Sequence, residues 1–228
     1  MPHAPKLMDQ LKLHEVRKRD LTGLLLFALL IGLYLGAVLA ANWYATRPPL
    51  VLAGGEAYTR SMAIVGVTKE GQAGELATLT VELRSGSGRV LVSVPPYENE
   101  DTQRSARNAK LAAERETNYD LSSVDIIFSI EAEAEVVTGP SAGTAMAVVL
   151  VAAIENRWVL ENAITSATID EYGRLGPVGE IDVKVRAAKD AGSELFVVST
   201  NQTGVPKISG IDVERARDLG EAVDLMLR

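Results

Sequence analysis

Val136-Val137-Thr138-Gly139-Pro140-Ser141-Ala142-Gly143-Thr144-Ala145-Met146-Ala147-Val148-Val149-Leu150-Val151-Ala152-Ala153-Ile154-Glu155-Asn156-Arg157 is the most informative stretch of the chain. Gly139 and Pro140 interrupt what precedes them, glycine because it tolerates unusual backbone angles and proline because it fixes its own. Small and apolar residues then run for about four turns with no further proline, which reads as a buried helix. Ser141 therefore falls where a tight turn becomes a helix. The first N–H groups of a helix lack internal partners and carry partial positive charge. A hydroxyl there either caps the helix or stands as a nucleophile beside donors suited to an oxyanion.

Composition narrows the chemistry around that serine. The 228 residues are 47% apolar, enough to bury a real core. There are no cysteines, which removes disulfides, thiolate zinc sites and cysteine nucleophiles together. The two histidines, His3 and His14, both precede a long apolar segment. A Ser-His-Asp triad is thus excluded from the region that follows, and a zinc site made of carboxylates alone would be unusual. The base for an activated hydroxyl must be a carboxylate, an amine or a tyrosine.

No charged residue occurs between Asp20 and Arg47, and the intervening 21–46 is long enough to span a bilayer. Trp43 and Tyr44 close it in the manner of an aromatic belt. Lys6, Lys12, Arg17, Lys18 and Arg19 precede it, against Arg47 and Arg60 soon after. The positive-inside rule then keeps 1–20 as a cytoplasmic tail and sends the rest outside. The apolar run exceeds the usual core of a cleaved signal peptide, so an uncleaved anchor is expected despite Val38-Leu39-Ala40. The expected organisation is a tail (1–20), one transmembrane helix (21–46), a linker (47–62) and a catalytic domain (63–228). The net charge is −7 overall and +2 in the tail, leaving −9 for the remainder. Nucleic acid is a poor partner for so acidic a domain.

Alternation and turn residues predict strands over Tyr58–Thr68, Glu75–Leu83, Arg89–Val94, Val124–Ile130, Ala163–Ile169 and Leu195–Ser199. Helices are predicted over Asp101–Glu116, Ile181–Ala191 and most of Glu214–Leu227. Ser85-Gly86-Ser87-Gly88 reads as a hairpin turn. Glu131, Glu133 and Glu135 share one face of an extended segment, as a solvated edge or a substrate-facing rim. No Gly-x-x-x-x-Gly-Lys-Ser/Thr loop occurs in the 228 residues, so no ATP site or other cofactor is expected. Strands followed by interleaved helices indicate a mixed α/β (α+β) domain.

Lysine is the natural partner for a serine without histidine. Helical spacing sets Ile181, Lys184, Val185 and Ala188 on one face, which turns Lys184 towards the core and disfavours its charged form; the plainer reading is a lysine snorkelling at a core edge. Gly139-Pro140-Ser141-Ala142-Gly143 resembles the nucleophile motif of the Lon-type serine peptidases. Gly173-x-x-x-Pro177-Val178-Gly179-x-Ile181-x-x-Lys184 resembles the loop and helix that carry their lysine, 43 residues on from Ser141. Gly74–Leu79 resembles an early strand of the same family, and the likeness runs from about Ala63 to Arg228, closest to the stand-alone, membrane-anchored archaeal proteins.

That resemblance implies a Lon-type proteolytic domain behind one transmembrane helix. Its Ser141–Lys184 dyad would cut unfolded polypeptides or peptides without ATP at the cell membrane, the domain lying outside the cytoplasm. It implies that the Ser166 hydroxyl, or that of Thr168, orients Lys184, that Gly139, Pro140, Ala142 and Gly143 form the oxyanion turn, and that subunits assemble into hexameric rings. An extended substrate would add alongside Val124–Glu135. Two features depart from the pattern: the ATP-driven unfolding domain is missing, and Thr138 replaces an acidic residue. The alternatives are a non-catalytic Lon-like assembly module, a signal-peptidase-like Ser-Lys hydrolase and a small-anion site at the helix N-terminus.

Overall fold

The computed structural model describes residues 23, 25–39, 47–52, 58–68, 73–93, 100–132, 136–137 and 139–228. The chain divides into two units, Met1–Arg47 and Pro48–Arg228. In the first, residues 25–39 form an exposed helix, α1. Among the described residues no helix is long and apolar enough to cross a membrane. The tail 1–20 and residues 21, 22, 24 and 40–46 of the expected anchor, Trp43 and Tyr44 included, lie outside the described residues.

The second unit is a mixed α/β structure. Its strands are β1 (Tyr58–Thr68), β2 (Gly74–Ser85), β3 (Val90–Ser93), β4 (Val124–Ala132), β5 (Val136–Val137), β6 (Ala163–Thr165), β7 (Thr168–Ile169), β8 (Leu175–Gly176), β9 (Leu195–Ser199) and β10 (Asp212–Ala216). Its helices are α2 (Glu100–Thr117), α3 (Gly143–Ile154), α4 (Ile181–Asp190) and α5 (Leu219–Met226). Five strands pair in the order β3-β4-β2-β1-β5, three parallel strands in the order β10-β9-β6, and β7 with β8 in a two-stranded piece.

Strand alternation builds two cores from shared walls. Met62 and Ile64 of β1 face the larger core, Val65 the smaller. Likewise Ala163 and Val197 point one way while Ile164, Phe196 and Val198 point the other. Period-two geometry sends neighbouring side chains to opposite faces of a strand. The larger core holds α3, every residue of which is buried, together with α2, α5 and the inward residues of β2 and β4. The smaller core holds Ile181, Val185 and Ala188 of α4.

Three expectations are corrected. Ser85–Gly88 does not close a hairpin, because β4 lies between β2 and β3, and β3 runs parallel to β4 across the α2 crossover. The buried Asp125 carboxylate fixes that turn to β4 by accepting the N–H groups of Ser87 and Arg89 and the Arg89 guanidinium. Ala163–Ile169 is not one strand. Its first half pairs with β9 and its second with β8, so the chain breaks at Ser166-Ala167. Glu214–Leu227 begins as β10, an edge strand parallel to β9, and α5 starts only where Asp218 caps it by accepting the Glu221 N–H.

Strand addition along Val124–Glu135 is corrected over Ile126–Ser129 only, since residues 130–132 pair with β2 alone among the described residues. β4 is flanked by β2 and by β3 over Ile126–Ser129, so that stretch has no open edge. Residues 133–135, with Glu133 and Glu135, lie outside the described residues.

Candidate active site

The turn before α3 is held from below and from the side. Pro140–Ala142 is a single 3-10 turn, and the Gly143 N–H donates to the Pro140 carbonyl. Thr144 donates its N–H to the Ala167 carbonyl at 3.2 Å and its hydroxyl to the Thr168 carbonyl at 3.3 Å. Gly143 is glycine for a steric reason, since a Cβ there would lie 3.1 Å from Ile169 Cγ2 and 3.3 Å from the Ile169 nitrogen. Gly139 is different. Its backbone is extended and nothing lies near its Cβ position, so it supplies open space, not an unusual backbone angle.

The N-caps of the 3-10 turn and of α3 are Gly139 and Ala142, neither of which has a side chain that can cap, and Ser141 lies within the turn between them. Half-buried Ser141 lines a cavity of about 300 Å³ with Gly139, Pro140, Thr168 and Lys184. Lys184 comes from the first turn of α4 and is 6% exposed. The buried residues of that helix are Ile181, Lys184, Val185 and Ala188, the face expected from spacing. Burial drives the Lys184 ammonium towards its neutral form, while the negative charge of Glu180 acts in the opposite direction.

Ser166 and Thr168 separate on either side of the strand break. Thr168 lines the cavity; Ser166 does not. Ser166 is 1% exposed, its N–H donates to Val197 of β9, and its Oγ is buried with no hydrogen-bond partner among the described residues. A buried hydroxyl without a partner is costly and demands a role. The Gly143 N–H donates to the Pro140 carbonyl and proline has no N–H, so neither residue offers the turn a free backbone donor. Thr138 lies outside the described residues.

Of the residues on the far wall of the cavity, Pro177, Val178 and Gly179 belong to the motif quoted from the sequence, and Glu180 was not singled out. Val67 of β1 lies opposite. Gln202 clamps this loop, accepting the Val178 N–H at 2.8 Å and donating to the Val178 carbonyl at 3.1 Å. Glu180 sits four residues before Lys184 and accepts the Lys184 N–H at its backbone carbonyl. That i, i+4 spacing is the signal that could have found it.

Residues 99–218, just over half of the chain, match the Lon protease (S16) C-terminal proteolytic domain. A Lon protease of Parabacteroides distasonis is 36% identical over 95 residues, covering 39% of this chain and 12% of that protein. The chain thus matches about an eighth of the length of that curated relative.

Proposed function

The chain belongs to the family of Lon protease (S16) C-terminal proteolytic domains and is a serine-type endopeptidase, and on that premise we propose that Ser141 is the nucleophile and Lys184 the general base. The carrying observation is that a serine at a helix start and a buried lysine from the opposite core line one cavity. Neutral Lys184 takes the Ser141 Oγ proton as Oγ bonds to the peptide carbonyl carbon. N–H donors in the turn hold the oxyanion. Lys184 then returns the proton to the leaving amine as the C–N bond breaks, and water, deprotonated by Lys184, hydrolyses the acyl-serine. Ser166 Oγ makes no hydrogen bond to Lys184 in this structure, so Thr168, which lines the cavity with Lys184, is the hydroxyl that faces the dyad and substrate.

The enzyme acts on unfolded polypeptides, independently of ATP, as a hexameric ring anchored through 21–46 with the domain outside the cytoplasm. The supporting features are the uncharged 26-residue run, the basic tail before it and the lack of a nucleotide loop in the 228 residues. Fluorophosphonate labelling of the purified chain tests the dyad: wild type labels and cuts peptides, and Ser141→Ala and Lys184→Ala do neither. Wild-type activity in Lys184→Ala refutes it. Protease accessibility in sealed right-side-out vesicles tests the topology, which falls if the domain is protected.

A further inference from the structure

Among the described residues, three that are not glycine adopt positive φ: Asn118, Asn156 and Glu180. Asparagine enters this left-handed region readily; glutamate does not. Glu180 has φ 54° and ψ 35° at the start of α4, where glycine would be relaxed. The neighbouring Gly179 is not in that region and has nothing near its Cβ position, so many side chains would fit there. The chain therefore carries glycine where it is not required and a carboxylate where glycine would be easier. Strain of this kind persists where the side chain has a use.

The Glu180 side chain is not used to cap α4. It is exposed at the rim of the cavity, and Glu180 and Lys184 are the two charged residues among the described residues lining it. When Lys184 is neutral, as a base must be, the lining carries one negative charge, that of Glu180. Val67, Pro140 and Val178 add apolar surface suited to the stem of a long side chain.

Resting on the peptidase reading, we propose that Glu180 is a specificity residue whose carboxylate selects polypeptide segments bearing lysine or arginine within about two residues of the scissile bond. The stem lies on the apolar lining and the cation pairs with Glu180 at the rim.

The test is cut-site mapping by mass spectrometry on a randomised synthetic peptide library, using the full-length chain in detergent and its Glu180→Gln, Glu180→Lys and Glu180→Gly variants. Relative site frequencies are independent of changes in overall rate. Wild type should enrich lysine and arginine near the cut about two- to fivefold, the range of an exposed ion pair. Glu180→Gln should lose the enrichment, and Glu180→Lys should replace it with aspartate and glutamate. Glu180→Gly should lose it as well while raising Tm by about 2–4 °C through relief of strain. Identical site distributions in wild type and Glu180→Lys overturn the proposal and leave the peptidase intact. A wild-type chain that cuts no peptide overturns both.

Discussion

Replacing Gly143 by alanine separates two opposed effects beside the nucleophile. Alanine favours helix over glycine by about 0.5–1 kcal/mol in an interior position. The added methyl, however, meets Ile169 Cγ2 at 3.1 Å and its nitrogen at 3.3 Å, inside the 3.5–4.0 Å of ordinary carbon contacts. Ile169 cannot easily withdraw. Its carbonyl accepts the Asn108 amide at 2.9 Å, it pairs with Leu175, and it is 5% exposed. Overpacking against so fixed a neighbour costs about 1–3 kcal/mol, so the steric effect wins and the net loss is about 1 kcal/mol. For a unit of this size Tm should fall by about 2–4 °C. The start of α3 must shift, and Ser141 shifts with it through the Gly143–Pro140 hydrogen bond. A displacement of about 1 Å costs on the order of 100-fold; a few tenths of an ångström should lower kcat about 5–10-fold with KM little changed. Steady-state peptide hydrolysis and thermal melts read both quantities. A Gly143→Ala variant with higher Tm and wild-type kcat refutes the close-packing account.

Lys184→Met should abolish peptidase activity, yet the protein should be more stable than wild type at neutral pH. The native lysine has a lowered affinity for protons, so below its ordinary range the unfolded chain binds more protons and wild-type stability rises with pH; denaturation midpoints of the two proteins should converge as pH approaches the ordinary lysine range. Activity should rise with pH along a limb below the ordinary lysine pKa, and Glu180→Gln should move that limb to lower pH by removing the charge that favours protonation; an unmoved limb in a kcat/KM–pH profile refutes the coupling. Gly173→Ala should lower Tm by about 2–4 °C. Its Cβ meets only ordinary contacts at 3.7 Å or more, so the left-handed backbone at φ 85° accounts for the loss; an unchanged melt refutes it.

The parts of the fold written in local patterns were legible. The apolar run after Pro140 gave α3, alternation gave β1 and β2, and 3.6-residue spacing turned Lys184 inwards with Ile181, Val185 and Ala188. What depended on distant partners was not. Nothing between Ser85 and Val90 reveals that β4 will lie between the flanking strands, because the Asp125 carboxylate that fixes the turn is 36 residues from Arg89. β10 carries Asp212, Glu214 and Arg215 on an exposed edge and lacks the apolar alternation that marks a half-buried strand. Within the candidate site, the place of Ser141 at the turn before α3 and of Lys184 on the buried face of α4 was legible from motif and spacing. Glu180 was hidden because its left-handed backbone falls on a residue type that rarely adopts it.

Ser141 stands in the turn leading into α3 and Lys184 on α4, two helices packed into different cores, with β1, β6 and β9 as the shared walls between them. If Ser141 and Lys184 act as the proposed dyad, catalytic competence is a measure of alignment between two packed layers, and not of the integrity of either. A slight shear of α4 against the sheet would part the dyad while leaving both layers folded. Such an enzyme can fall silent at temperatures or denaturant concentrations below its unfolding transition. Whatever presses the layers together, a bound polypeptide or an adjoining protomer, then acts as an activator without touching either reactive atom.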